Sequence, residues 1–294
     1  MFGFQRAKAD HPPGPKFVPE KLVPSTREAL QTFSAVIVTG GSSGIGKSFI
    51  ELAGKLRPEL EFCNLSRTAP VIKNEQLKLC HIACDLGRAE SVASAAQEVE
   101  SFLSRTLPAG RVLLINNSGF GSYGVFPEPN LSHQLGMIDV NVRGLVDLTA
   151  RLLPTLKKRG GVIMSVASTA AFQPTPYMAT YGATKAFVLH WSLALNEELR
   201  GTTLRTLAVC PGPTATQFFQ RAGLKEGSVA ASLSMETEDV VLQALHALAA
   251  GRSLVVTGWK NKLSAFAGGM SPIRLAAWTA AKLIGRYRMQ PVAR

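Results

Sequence analysis

Short apolar runs recur along the chain at 34–39, Glu61–Leu65, Leu77–Cys84, Val112–Ile115, Val162–Val166, Leu204–Cys210 and Leu254–Thr257. Between most of them lie segments of helical length and spacing: Lys47–Leu56, Glu90–Arg105, Leu131–Lys158, Ala179–Leu199 and Glu238–Ala249. Near-continuous apolar strands alternating with helices predict a parallel sheet buried on both faces. The expected architecture is α/β and doubly wound, of Rossmann type, with seven parallel strands and helices on both sides. Residues 1–33 are proline-rich and weakly periodic, and read as a tail. The domain is expected over 34–260, followed by a basic helical extension over 261–294 in which Pro272 starts a helix.

Composition narrows the setting. The 294 residues suit one sizeable domain. Cys63, Cys80, Cys84 and Cys210 form no metal-ligand spacing, and no metal site is expected. They sit in or at the ends of apolar runs, as buried thiols of a reducing compartment do. The N-terminus has no apolar leader core and no stretch reads as a membrane span, so a cytoplasmic protein is expected. A formal charge of +12 invites a nucleic-acid reading. No extended Lys/Arg block or nucleic-acid motif supports it, and none is expected as partner.

Ligands on such sheets bind beyond the carboxyl ends of the strands. After the first strand stands Thr39-Gly40-Gly41-Ser42-Ser43-Gly44-Ile45-Gly46. Glycines there let the backbone approach a pyrophosphate at a helix N-terminus, although a tight turn needs no ligand. The second strand ends in Ser66-Arg67, where many dinucleotide folds carry an acid for the ribose diol. A hydroxyl and a guanidinium suit a 2′-phosphate, so NADP(H) is preferred over NAD(H). Asp85-Leu86 ends the third strand, with Asp85 either accepting from an adenine amine or capping a helix. After the fourth strand, Asn117 and Gly119 line the adenosine side or tie strands together.

Tyr181 follows Ser168 by thirteen residues and stands four before Lys185, on one helix face. A phenol of pKa about 10 is a poor proton carrier at neutrality, and an ammonium within about 4–6 Å lowers it by about 1–3. Alone, such a pair is common on solvated helices.

Together these segments, with Asn141 in V-N-V and Pro211-Gly212-Pro213-Thr214-Ala215-Thr216, resemble the short-chain dehydrogenase/reductase family. The likeness spans roughly 34–220 and is nearest the bacterial DltE-like reductases; Ser118 replaces the usual alanine, and Ser43 stands where many NADPH users carry a base. The resemblance implies an oxidoreductase exchanging a hydride between NADP(H) and a carbonyl or secondary alcohol. Ser168 would hold the carbonyl oxygen and Tyr181 protonate it. Lys185 would lower the Tyr181 pKa and bind the nicotinamide ribose, with Asn141 holding a water behind it. Pro211, Gly212, Thr214 and Thr216 would flank the nicotinamide and pyrophosphate. It also implies a homo-oligomer.

Phe120, Tyr123, Phe126, Phe172, Tyr177, Met178, Phe218 and Phe219 are the expected pocket wall, suited to an apolar carbonyl substrate, with about half packing inward instead. The extension over 260–294 either packs over the pocket or on a partner subunit, or makes peripheral contact with a membrane. The rival to an enzyme is a dinucleotide-binding regulatory or scaffold protein without turnover.

Overall fold

The computed structural model describes residues 22–285 except 75, 106–109 and 224–233. The chain runs α1 (Leu22–Gln31), β1 (Phe33–Thr39), α2 (Gly44–Leu56), β2 (Glu61–Ser66), β3 (Leu79–Ala83), α3 (Ala89–Arg105) and β4 (Arg111–Asn116). It continues through α4 (Leu131–Ile138), a π-helical turn (Asp139–Gly144), α5 (Leu145–Arg159), β5 (Gly161–Val166), a 3-10 turn (Thr169–Phe172) and α6 (Ala179–Glu198). The last elements are β6 (Leu204–Cys210), α7 (Phe218–Arg221), α8 (Thr237–Ala249), β7 (Leu254–Val256), α9 (Trp259–Met270) and α10 (Ile273–Gly285).

All seven strands are parallel, in the order β3-β2-β1-β4-β5-β6-β7. Strand alternation sends Val36 and Val38 toward α2 and α8, where they pack with Phe49, Ile50, Val241 and Leu245. Ala35 and Ile37 face α3 and α5, among Val92, Val99, Leu148 and Leu152. Both faces are therefore covered, which is why the strands read as unbroken apolar runs. The order reverses between β1 and β4, so the crevice opens at their carboxyl ends.

Two boundaries move. The expected tail over 1–33 ends earlier, because Leu22–Gln31 is helical and Leu30 is fully buried in the core cluster beside α8. Residues 1–21 of that tail lie outside the described residues. The single helix expected over Leu131–Lys158 is broken into α4 and α5 by the π-helical turn, an insertion often found at functional sites.

Candidate active site

A cleft of about 1620 Å³ lies across the carboxyl ends of β1, β4 and β5. Its nucleotide end is built by the turn before α2. Gly40 has φ +70°, a left-handed conformation that glycine adopts without strain, and its amide donates to Leu65 O at 2.8 Å. A Cβ on Gly46 would stand 2.5 Å from both Asn117 Nδ2 and Gly40 O, so α2 starts closer to the turn than a side chain permits. Ser43 is the N-cap residue yet makes no side-chain cap bond. The first-turn amides of α2 thus keep donors for an anion at the positive end of the helix.

Thr39 and Gly46 do not line the cleft but hold its floor. Thr39 Oγ1 accepts from the amides of Asn117 (2.9 Å) and Ser118 (3.0 Å). Asn117 Nδ2 donates back to Thr39 O and Gly40 O. The strand-tying role of Asn117 is therefore realised, and both neighbours of the topological reversal are locked together.

Asn64 was missed in the sequence. It is fully buried on β2, accepts from Gly41 N at 2.7 Å, and donates to Ser66 Oγ at 2.8 Å. Its Nδ2 also lies 3.0 Å from His81 Nδ1. A buried amide between apolar neighbours gives no periodic signal; only its place beside the turn reveals it.

Ser66 and Arg67 divide their expected task. Ser66 Oγ donates to Thr68 O at 2.7 Å, which commits its proton to the loop. Arg67 is exposed at the cleft rim. Asp85 also lines the cleft, but α3 begins only at Ala89. Its Oδ1 accepts from Gly87 N at 3.0 Å, so the helix-cap reading fails and Asp85 shapes a turn instead. Leu86 lies beside it in the cleft wall.

At the other end, Pro211, Gly212, Thr214 and Thr216 form a loop across the cleft from the glycine turn. A Cβ on Gly44 (φ +57°) would lie 3.2 Å from Thr216 Cγ2, and Thr214 Oγ1 donates to Gly212 O. Ser42 and Ile45 complete the turn side, and Gly119 sits at the end of the β4 loop. A Cβ on Gly119 would stand 3.1 Å from Asn141 Oδ1 and 3.2 Å from Lys185 Nζ, which shows how near those two groups are.

Ser168, Tyr181 and Lys185 converge where β5 ends. Ser168 caps the 3-10 turn, accepting from Ala170 N, and hydrogen-bonds Tyr181. The Tyr181 ring is 5.1 Å from that of Phe218. Lys185 Nζ donates to Val166 O at 2.8 Å and lies 5.9 Å from the centre of the Tyr181 ring. Asn141, in the π-helical turn, accepts from Phe120 N and donates to Phe120 O and Thr184 Oγ1. It thereby clamps the β4 loop beside Lys185.

The protonation states differ from expectation. Burial pushes the Tyr181 phenol up to about 12, against a partial lowering by the Ser168 bond. Burial brings Lys185 down to about 8, with Cys210 opposing. The lysine therefore does not lower the phenol here, because its ammonium points at a carbonyl and desolvation outweighs its field. Tyr181 keeps its proton across the physiological range.

Of the expected pocket wall, Phe120, Met178 and Phe218 line the cleft. Phe126 is 62% exposed outside it, and Phe172 packs against the cluster around Val188. Tyr123 donates to Ile284 O and lies 6.1 Å from Tyr177, beneath α10. The side chain of Phe219 lies outside the described residues. Trp259, Leu283 and Ile284, from α9 and α10, close the cleft in their place. Cys63, Cys84 and Cys210 are buried and all four thiols are free.

The parallel sheet thus carries a glycine turn at its reversal and brings Ser168 beside buried Tyr181 and Lys185. A family model, short chain dehydrogenase, matches residues 34–227. An uncharacterized oxidoreductase of Escherichia coli (strain K12), YbbO, is 30% identical over 222 residues, covering 72% of this chain and 80% of that relative. Sulfoacetaldehyde reductase 2 of Chromohalobacter salexigens is 30% identical over 224 residues, 71% of this chain and 83% of its own. Among solved structures, a short chain dehydrogenase from Burkholderia cenocepacia J2315 in complex with NADP has TM-score 0.68 at 23% identity, covering 88% of this chain and 98% of that one. One from Burkholderia phymatum in complex with NAD has TM-score 0.66 at 19% identity, with 89% and 98% covered. The chain belongs to the short-chain dehydrogenase family and is an NAD(P)-dependent oxidoreductase.

Proposed function

We propose that the protein is an NADPH-dependent reductase of apolar ketones, running in reverse as a secondary-alcohol dehydrogenase. The observation that carries this reading is the Ser168–Tyr181–Lys185 group at the cleft end, with Tyr181 and Lys185 buried and an apolar wall beside it. The glycine cradle fits a dinucleotide, because a Cβ at Gly46 would collide with the turn that receives it. When bound, the nicotinamide supplies the hydride. Ser168 Oγ would hold the carbonyl oxygen. Tyr181, protonated up to about pH 12, would give that oxygen its proton, leaving an alcohol. Lys185 would then return a proton to the phenolate, and Asn141 would keep the loop and lysine in place.

Phe120, Met178, Phe218, Trp259, Leu283 and Ile284 give the substrate end its apolar character. NADPH oxidation should be measured against a carbonyl panel that includes long-chain and aromatic ketones, small ketoses, sulfoacetaldehyde and the oxidation product of serine. Long-chain or aromatic ketones should give the highest kcat/KM. A ranking led by the small polar compounds would sink the apolar assignment.

The protein is also read as a cytoplasmic homo-oligomer. Leu131, Leu135 and Ile138 form an i, i+4, i+7 stripe on α4, each about half exposed, and Phe187 on α6 is exposed too. Leu135→Glu should move the protein to a smaller species in size-exclusion light scattering. An unchanged mass would remove α4 from the interface.

A further inference from the structure

The two C-terminal helices follow one another through Ser271 and Pro272. Ala265, Ala276 and Ala280 are buried, and Gly268 lies so close to Gln173 that a Cβ would meet its Oε1 at 2.1 Å. Tyr123 Oη donates to Ile284 O at 2.9 Å, and Gly285 rests on Tyr177. Each helix is therefore held against the body of the protein.

The outward face of α9 is apolar. Trp259 (72% exposed), Leu263 (64%), Phe266 (67%) and Met270 (72%) lie on α9. At 100° per residue these four share an arc of about 60°. On α10, Leu275 (50%) and Trp278 (55%) lie about 60° apart on the exposed side, and Ile273 (71%) is exposed at the start of the helix. Trp278 lies between Arg274 and Lys282 on one side of α10, four residues from each. A soluble monomer has no reason to hold so many large apolar groups in water on two successive helices.

Charge identifies what covers this face. Lys260 and Lys262 flank the apolar arc of α9, while Arg274 and Lys282 border Trp278, with Lys282 Nζ 3.7 Å from the centre of its ring. From Val240 to Arg294 the chain has no acidic residue. A two-fold copy would set this basic surface against itself. No helix among the described residues is long and apolar enough to cross a membrane. An apolar stripe with tryptophan, bordered by cations and lying along a surface, matches the chemistry of an anionic lipid interface.

We propose that the exposed faces of α9 and α10 dock the protein on an anionic membrane surface, with the apolar residues in the headgroup boundary and the cations on lipid phosphates. Trp259, in the first turn of α9, borders the cleft as well as this surface, and Leu283 and Ile284 of α10 line the cleft too, so docking sets the cleft mouth beside the bilayer. That last step rests on the apolar-ketone reading; docking does not, and it is measured without turnover.

The test is co-sedimentation of the full chain with phosphatidylglycerol-containing vesicles and with pure phosphatidylcholine vesicles, at low and high salt. The protein should pellet with the anionic vesicles, release at high salt, and show a blue shift of tryptophan emission on binding. The triple variant Leu263→Ser, Phe266→Ser, Trp278→Ser and the charge variant Arg274→Gln, Lys282→Gln should each lower partitioning about tenfold or more. Circular dichroism, melting temperature and NADPH binding serve as controls of folding. If the triple variant fails them, the charge variant alone decides. Equal pelleting of folded variants and wild type would overturn the proposal, as would no pelleting with anionic vesicles. A triple variant whose light-scattering mass falls to that of a monomer would overturn it in favour of a second copy on this face.

Discussion

Tyr181→Phe is expected to lower reductase turnover by about 10²–10⁴-fold, the usual contribution of a placed general acid, with NADPH affinity nearly unchanged. The substitution removes one oxygen. The ring keeps its place 5.1 Å from Phe218, and Ser168 keeps the bond from Ala170 N, so the local fold has no cause to shift. The loss should fall on kcat rather than on cofactor binding, because the phenol acts on the developing alkoxide. Single-turnover kinetics with NADPH fluorescence titration separates the two. Wild-type activity retained by the variant would mean the phenol donates no proton, and would restore the scaffold reading.

The wild-type pH profile tests the same group from the other side. Lys185 is charged below about pH 8 and neutral above it, whereas Tyr181 holds its proton to about 12. Ketone reduction should therefore decline as pH rises through about 8, where the group that reprotonates Tyr181 loses its proton. A profile flat to pH 10 would exclude Lys185 from the proton path.

Arg67→Asp is the second large effect. The Arg67 side chain stands at the cleft rim, and Ser66 has already given its proton to Thr68 O. The guanidinium is thus left as the main group for a 2′-phosphate. Reversing its charge replaces a charge-assisted bond by repulsion, and should raise KM for NADPH about 10–100-fold. KM for NADH should stay level or fall, since a carboxylate there accepts from a ribose diol. Equal changes for both cofactors would show that Arg67 is a solvated loop residue, and would leave the NADPH preference without support. The NADP and NAD complexes among structures of this fold make that measurement decisive.

The elements were legible for a simple reason. A parallel strand covered on both faces needs apolar side chains at every position, so Ala35–Val38, Val112–Ile115 and Val162–Val166 stand out as unbroken runs. The glycine turn was legible because backbone approach excludes Cβ, and Tyr181 and Lys185 because four residues make a helical turn. Helix α1 escaped because, over the described side chains 26–31, burial falls on Thr26 and Leu30, too few to impose a period on the segment. The π-helical turn escaped because its one extra residue per turn leaves no compositional mark.

Local constraints on backbone and burial thus let the sequence by itself determine the doubly wound sheet, the glycine turn after its first strand and the shared helix face of Tyr181 and Lys185. Tertiary structure decided the rest: that Asn64 braces the turn, that Ser66 is spent, and that desolvation rather than Lys185 governs the Tyr181 phenol. It also decided that α9 and α10 border the cleft while leaving Leu263, Phe266 and Trp278 exposed away from it. These outcomes depend on which groups meet across long chain separations, and on the water each loses there, and neither quantity is written in local spacing.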